Sequence, residues 1–408
     1  MKKTFLLSCL MLAAMPVMAA YTGRVYVDKN KNGVFDPGEK TWAGIKVSDG
    51  LNVVETAADG SFTLPGHERE RFIFITTPSG YKTFNRHYHK IEEKQSGYDF
   101  GLMPYSGRIR KDGSHKYIHI ADTEIFNTEN HEDWVNNVRD YARNEQAAFI
   151  IHTGDICYEK GLKAHIKLMN TENMDCPVFY CIGNHDLVKG KYGEELFESI
   201  YGPVYYSFDA GNVHYIVTPM PGGDHAPGYT ADDVCRWLKN DLAHIRPGTP
   251  VVVFNHDLLT YEDAFIFKSK NAGSINLNEH NLKAWVYGHW HINYMKKQGD
   301  VYSVCTSSLD KGGIDHSTTA FRVMHVDSKG DFTSELRYTY LDKNICIASP
   351  AGVMASGVLP VAVNVYSSVS PVKEVLYTCL ADGKPVLKNK RLLQSTDWSW
   401  NGELPLSH

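Results

Sequence analysis

Gly183-Asn184-His185-Asp186 follows directly on the apolar run Val178-Phe-Tyr-Cys-Ile182. An amide, an imidazole and a carboxylate, presented by a glycine turn at the end of a strand-like segment, are side chains with chemistry to do. The same arrangement recurs on both sides of it. Upstream stand Ile120-Ala-Asp122-Thr-Glu124 and Thr153-Gly154-Asp155-Ile-Cys-Tyr158; downstream stand Phe254-Asn-His256-Asp257 and Gly288-His289-Trp290-His291. Asp122 to Asp155, Asp155 to Asn184, and His256 to His289 are each about thirty residues apart, roughly one strand–helix–strand unit. Side chains repeating at that interval are expected at successive strand ends along one edge of a sheet, where open α/β folds place their sites. Carboxylate, amide and imidazole converging there suit hard or borderline divalent cations.

The runs between these motifs set the fold class. Tyr117–Ile120, Phe149–Ile151, Val178–Tyr180, His214–Val217, Val251–Phe254 and Ala284–Tyr287 are apolar stretches of strand length, as in a sheet covered on both faces. Helices are expected between them. Trp134, Val138, Tyr141 and Ala142 mark one amphipathic face, and Val234, Trp237, Leu238 and Leu242 another, with Asp232 and Asp233 suiting the latter's first turn. An α/β domain over 111–342 follows. Residues 20–110 read as a small β-sandwich, with Asp49-Gly50 and Asp59-Gly60 as hairpin turns. Residues 343–408 read as a further β domain, short for a full sandwich.

Two features lie outside that pattern. Met1-Lys2-Lys3, the apolar run Thr4–Met15 and the small residues before Ala20 read as a secretory signal peptide over 1–19, which implies a periplasmic or cell-surface protein. Asp28-Lys-Asn30-Lys-Asn32-Gly33-Val-Phe-Asp36-Pro-Gly-Glu39 has the ligand spacing of a calcium loop on strand-like flanks, and a structural calcium is expected there.

Composition excludes several classes. The net charge is -5 over 408 residues with no basic cluster, so neither nucleic acid nor a membrane surface is an expected partner. No segment after the leader is long and apolar enough to span a bilayer. Eight cysteines, one of them Cys9 in the leader, leave an odd number at irregular spacing, which is not a disulfide framework. Cys157 and Cys181 read as small buried core residues.

Taken singly, each candidate ligand would be a helix cap or a satisfied core residue. Together they assign roles. Asp155, behind Gly154, is placed to be shared by two cations. Asp122 would hold one of them. His289 and His291, two apart, would point the same way in extended chain and split between the metals. Asn184 and His256 supply neutral donors, which leaves the second cation strongly Lewis acidic. His185 sits beside the metals as a general acid or phosphate-binding donor.

In this order the motifs resemble those of the calcineurin-like metallophosphoesterases, over residues 115 to about 340. The resemblance implies a four-layer α/β/β/α sandwich with a dinuclear centre of divalent or mixed-valence manganese, iron or zinc. By motif, Asp122, Asp155 and His291 match ligands of the first metal. Asp155 (bridging), Asn184, His256 and His289 match those of the second, and His185 matches the catalytic histidine. The flanking β domains resemble those attached to this family in secreted bacterial proteins. One position departs. The family opens with Asp-x-His, and this chain has Asp122-Thr-Glu124. Glu124 supplies an oxygen at the same spacing. Tyr158 resembles the Gly-Asp-x-x-Tyr tyrosinate of purple acid phosphatases and is the preferred replacement.

The expected activity is hydrolysis of a small-molecule, glycan or lipid phosphate ester by a metal-activated hydroxide. The loops 127–133, Asp224-His225 and 312–316 are expected to select the substrate. The competing reading is a secreted, non-catalytic binding module with a degenerate α/β domain.

Overall fold

The computed structural model describes residues 20–406 except 96, 341–342, 351, 353–356, 368–370 and 397. The expected leader, 1–19, lies outside the described residues. No helix among the described residues is long and apolar enough to cross a membrane.

The central domain is built on two sheets. In the first, Val178–Tyr180, Phe149–His152 and His115–Ile120 run parallel, and Ala320–Val326 and Phe332–Tyr338 extend the sheet antiparallel. In the second the order is Tyr206–Ala210, Val213–Val217, Val251–Phe254, Leu282–Tyr287, Val301–Cys305 and Tyr294–Gln298, with the four inner strands parallel.

Strand alternation explains why the sheets stack. Tyr117, Phe149 and Phe179 of the first sheet meet Phe208, Tyr215 and Phe254 of the second in one aromatic seam. Phe179 stacks on Phe208 with centroids 3.8 Å apart, and Phe149 meets Phe208 and Tyr215 edge-on at 5.0 Å each. Phe149→Ala would empty the middle of this seam and cost about 3–5 kcal/mol. The intervening residues Ile118, Ile120 and Ile150 face outward. They join Trp134, Val138 and Ala142 of the helix Glu132–Asn144 and Leu162 of the helix Tyr158–Leu168. Trp237, Leu238 and Leu242 of the helix Ala231–Ala243 pack into the core of the second sheet. That helix starts in a capping box: Asp233 N donates to Thr230 Oγ1, and Thr230 N donates to an Asp233 carboxylate oxygen. Losing such a cap costs about 1 kcal/mol. The layers are therefore α/β/β/α.

The N-terminal residues form two small sheets around Val25, Val47, Phe62, Leu64, Ile73, Ile75 and Phe100. Asp49-Gly50 closes a hairpin between Lys46–Ser48 and Val53–Glu55, as expected. Asp59-Gly60 does not. The strand after it, Ser61–Leu64, pairs with Tyr21–Val27, so this turn carries the chain across the sandwich. The strand Phe72–Ile75 is buried along its whole length. Ile73 and Ile75 fill the sandwich, while Phe72 and Phe74 enter the core of the central domain, where Phe74 lies against Trp237. The sandwich is thus packed onto the central domain, with this strand and Tyr88 entering the shared core. Cys157, Cys176, Cys181, Cys235 and Cys305 are buried free thiols. The C-terminal strands, chiefly Lys343–Ser349, Gly357–Ser367 and Ser399–Leu406, form a separate sheet over Val361, Val363, Val375, Leu392 and Trp400.

Candidate metal centre

Each candidate residue follows a parallel strand. Asp122, Asp155 and the pair Asn184-His185 follow three strands of the first sheet, and His256 and the His289–His291 segment follow two strands of the second. The ligands therefore come from two sheets and not from one edge of a single sheet. The thirty-residue spacing reads the strand–helix–strand rhythm within each sheet and says nothing about the jump between them. Stacking brings the two sets of strand ends together.

At the centre is His256. Its Nε2 lies 3.1 Å from Asp155 Oδ2, 3.1 Å from Asn184 Oδ1 and 4.0 Å from Asp122 Oδ1. Its Nδ1 lies 2.7 Å from the Thr153 carbonyl. A carbonyl oxygen only accepts, so Nδ1 must donate, and Nε2 is left to present its lone pair to a cation. His289 stands beside it, with ring centroids 4.9 Å apart, and one donor atom from each of Asp155, His256 and His289 falls within 4.8 Å of the others. His291 Nε2 is 3.5 Å from Asp122 Oδ1.

The backbone is bent to make this meeting possible. Asp122, Glu124, Asp155, Cys157, Tyr158, His289 and His291 all have φ between 44 and 86°, a region that costs a non-glycine residue about 1–3 kcal/mol. His289 and His291 are accordingly not in extended chain, as their two-residue spacing suggested. They lie beyond the strand Leu282–Tyr287 in a tight turn where Trp290 N donates to Gly288 O at 2.7 Å. Two motif glycines are explained by close approach. A Cβ on Gly183 would sit 2.2 Å from Asp155 Oδ1, and one on Gly288 would sit 2.7 Å from Ala121 Cβ. Asp186 ties two of the loops together, accepting from Cys157 N at 2.8 Å and Gly183 N at 2.9 Å. Burial, with the Asp155 charge beside it, pushes Asp186 up to about 7.

Electrostatics favour cations here. Asp122 is completely buried and Asp155 nearly so. Burial drives the Asp122 carboxyl well above the ordinary carboxylate range, and the neighbouring Asp155 charge adds to that. Burial pulls His256 down, but Asp155 and Asp122 outweigh it and raise the imidazole to about 9. Donor atoms 3–4 Å apart, with the His256 tautomer fixed from behind, fit divalent metal ligation.

Glu124 stands where the family's Asp-x-His motif carries its histidine. Its Oε1 lies 3.5 Å from His291 Nε2, and its Oε2 lies 2.6 Å from Lys311 Nζ. Tyr158, preferred from the sequence, is set differently. Its ring is 42% exposed, stacked at 6.2 Å on Phe126, with the hydroxyl 3.4 Å from His185 Nδ1. The Gly-Asp-x-x-Tyr spacing favoured Tyr158, but spacing does not report which way either side chain is aimed. The turn at Asp122–Glu124, with both residues at positive φ, is what aims the glutamate inward.

His185 is placed beside the ligands. Its backbone N–H donates to Asp155 Oδ1 at 3.0 Å, and its Nδ1 lies 2.8 Å from Asp224 Oδ2. Burial opposes its charge, but the Asp224 hydrogen bond and the Asp155 carboxylate raise it above an ordinary imidazole. Asp224 belongs to a loop expected to touch substrate; here it holds His185. Lys311 was missed altogether, since it lies 187 residues from its partner with no motif around it.

Three solved structures are similar in part: the Plasmodium GAP50 anchor of the inner membrane complex (13% identity, 56% of this chain and 85% of that one, TM-score 0.36), an archaeal phosphodiesterase (12%, 54% and 99%, 0.28) and a putative 5'-nucleotidase from Staphylococcus aureus (13%, 56% and 54%, 0.33). No curated protein matches the chain. Residues 29–105 match the family model described as the N terminal of calcineurin-like phosphoesterase, and residues 115–293 match calcineurin-like phosphoesterase itself. The chain belongs to the calcineurin-like phosphoesterase family.

Proposed function

We propose that this chain is an exported, metal-dependent hydrolase of phosphate esters. One observation carries the reading: Asp122, Asp155, Asn184, His256, His289 and His291, drawn from two sheets, converge around His256 Nε2 and the two buried aspartates. In this reading Asp122, Glu124, Asp155 and His291 hold one cation, and Asp155, Asn184, His256 and His289 hold the other. Glu124, beside His291, replaces Tyr158 in that set. Divalent cations bound there supply the Lewis acidity that activates water and neutralises the phosphoryl oxygens.

The chain's own residues do the rest. Asp224 engages His185 Nδ1, so a protonated His185 presents Nε2 to the leaving oxygen as hydrogen-bond donor and general acid. Thr153 and Asp186 keep His256 and the two glycine loops in register.

Elemental analysis of the purified protein, paired with turnover of 4-nitrophenyl phosphate and its bis ester, tests the proposal. Two metals per chain and turnover of either ester are expected. Metal-free protein without turnover after metal loading would leave only the binding-module reading. Export belongs to the same proposal, and a mature N-terminus near Ala20 in the periplasmic or surface fraction is the expected finding. A structural calcium in the Asp28–Glu39 loop is proposed with it. The Asp28 carboxylate is buried and accepts from Asn32 N and Gly33 N, and Glu39 folds back onto Lys29 N. Calorimetric titration of calcium into chelator-treated protein tests that site.

A further inference from the structure

We propose that Tyr158 and Phe126 form a stacking platform for an aromatic or heteroaromatic ring carried by the alcohol part of the substrate. The inference rests on the phosphoesterase reading and names its substrate class.

Phe126 is 54% exposed and Tyr158 42% exposed. Single exposed apolar residues are ordinary on protein surfaces. These two are not single. Their rings are nearly parallel, 16° apart with centroids at 6.2 Å, and Tyr158 in turn lies 5.2 Å from the His185 ring. His185, Tyr158 and Phe126 thus form a row that starts at the candidate proton donor and runs outward into solvent. A similar pair, Tyr261 and Trp290, stacks at 5.9 Å on the segment carrying His289 and His291, with Tyr261 75% exposed.

The first row is held in place. Tyr158 N donates to His185 O at 3.0 Å, and Tyr158 keeps a left-handed backbone at φ 53°. Phe126 is anchored by buried Ile125 before it and by Glu124, whose carboxylate and carbonyl both accept from Lys311. Rigid, exposed ring faces lose little freedom when a ligand covers them. They offer no charge and few hydrogen-bonding edges, so they select for a flat face. The row begins where the leaving oxygen would meet His185, so the matching ring sits on the departing alcohol, a short link beyond the ester oxygen. Unsubstituted glycerol or polyol phosphates would leave the platform bare.

The test is equilibrium binding to the metal-loaded full chain by calorimetry, using 2-phenylethylphosphonate, 2-cyclohexylethylphosphonate and ethylphosphonate. Phe126→Ala is expected to weaken the phenyl ligand about tenfold and the other two by less than about twofold, in line with stacking on one aromatic side chain. Phe126→Trp is expected to restore the phenyl ligand. Equal weakening of all three, no weakening of any, or a cyclohexyl loss as large as the phenyl loss would overturn the platform. These readouts need no turnover. The expected ratios in a protein that hydrolyses no ester would sustain the platform and sink the hydrolase reading. Ester hydrolysis without the ratios would do the reverse.

Discussion

Lys311 Nζ lies 2.6 Å from Glu124 Oε2, while the other oxygen of the same carboxylate faces His291 Nε2 at 3.5 Å. The lysine has two effects. It orients a flexible carboxylate toward the cage, and it offsets the third negative charge that Glu124 adds beside Asp122 and Asp155. Lys311→Met is therefore expected to weaken one of the two metals about 10–100-fold, the usual cost of losing a partner that orients a ligand. Metal retained after dialysis against stepped chelator concentrations measures it. Glu124→Ala should lose that metal outright, and Tyr158→Phe should keep both. If Tyr158→Phe loses metal and Glu124→Ala does not, the ligand assignment is reversed.

Asp224 and His185 form a second close pair, the one to which the proposed proton donation is assigned. Asp224→Asn removes the charge that favours a protonated His185 but leaves the amide near the ring. Turnover of an ester with a poor leaving group should fall about 10–100-fold, part of the 10²–10⁴ that a positioned general acid contributes. A 4-nitrophenyl ester, which needs little proton donation, should lose much less. Metal content should stay at the wild-type value. Equal losses on both esters would mean that Asp224 shapes the loop instead of tuning the histidine.

Much of this was legible in the chain before folding. Apolar runs of strand length gave the parallel strands, because residues such as Phe149–Ile151 are buried on both faces and need no alternation. Candidate ligands after these runs marked the strand ends, with a glycine before Asp155, Asn184 and His289. The split between sheets was not legible, since nothing in a thirty-residue period distinguishes a neighbour in the same sheet from one across the sandwich. Glu124 and Lys311 meet across 187 residues, and Asp224 and His185 across 39. A charge pair of that kind has no periodicity to read. Left-handed turns at His289 and His291 were hidden for a related reason: histidine gives no local sign of positive φ, as glycine does.

Away from the site, His214 offers a pH test of the fold. It is completely buried between Asp209, at 2.7 Å, and Asp241, at 2.8 Å. Burial alone would lower it, but the two carboxylates raise it to about 9. A raised pKa means that the folded state holds the proton more tightly than the unfolded chain. The stabilisation is complete below the unfolded value of about 6.5 and fades as pH rises through about 9, amounting to roughly 3 kcal/mol. Asp209 runs the other way. Burial is outweighed by its bond to His214, its pKa is lowered, and its share is lost as pH falls through the acid range. Denaturant unfolding of the metal-loaded protein between pH 6.5 and 9.5 should show the alkaline loss. His214→Asn should start lower and show a flatter slope. An unchanged slope in that variant would assign the alkaline loss to other groups.

The last prediction concerns how the N-terminal sandwich supports the site. Arg71, from the sandwich, reaches Glu194 at 2.7 Å and Glu198 at 3.2 Å in the central domain. Glu194 is fully buried, and both its oxygens accept from Gly228 N, in the loop that also carries Asp224. Arg71→Ala would strand a buried carboxylate on one backbone donor. A fully buried broken pair costs about 3–5 kcal/mol, and the arginine's partial exposure (28%) scales that to about 2–4 kcal/mol here. Relaxation of the Gly228 segment would loosen Asp224, so turnover of the poor-leaving-group ester should fall along with stability. Arg71→Lys keeps the charge but cannot serve both glutamates with a planar fork, and should give an intermediate loss. Urea unfolding and the turnover assay on the same preparations separate the two effects. A destabilised Arg71→Ala protein with wild-type turnover would confine Arg71 to holding the domains together.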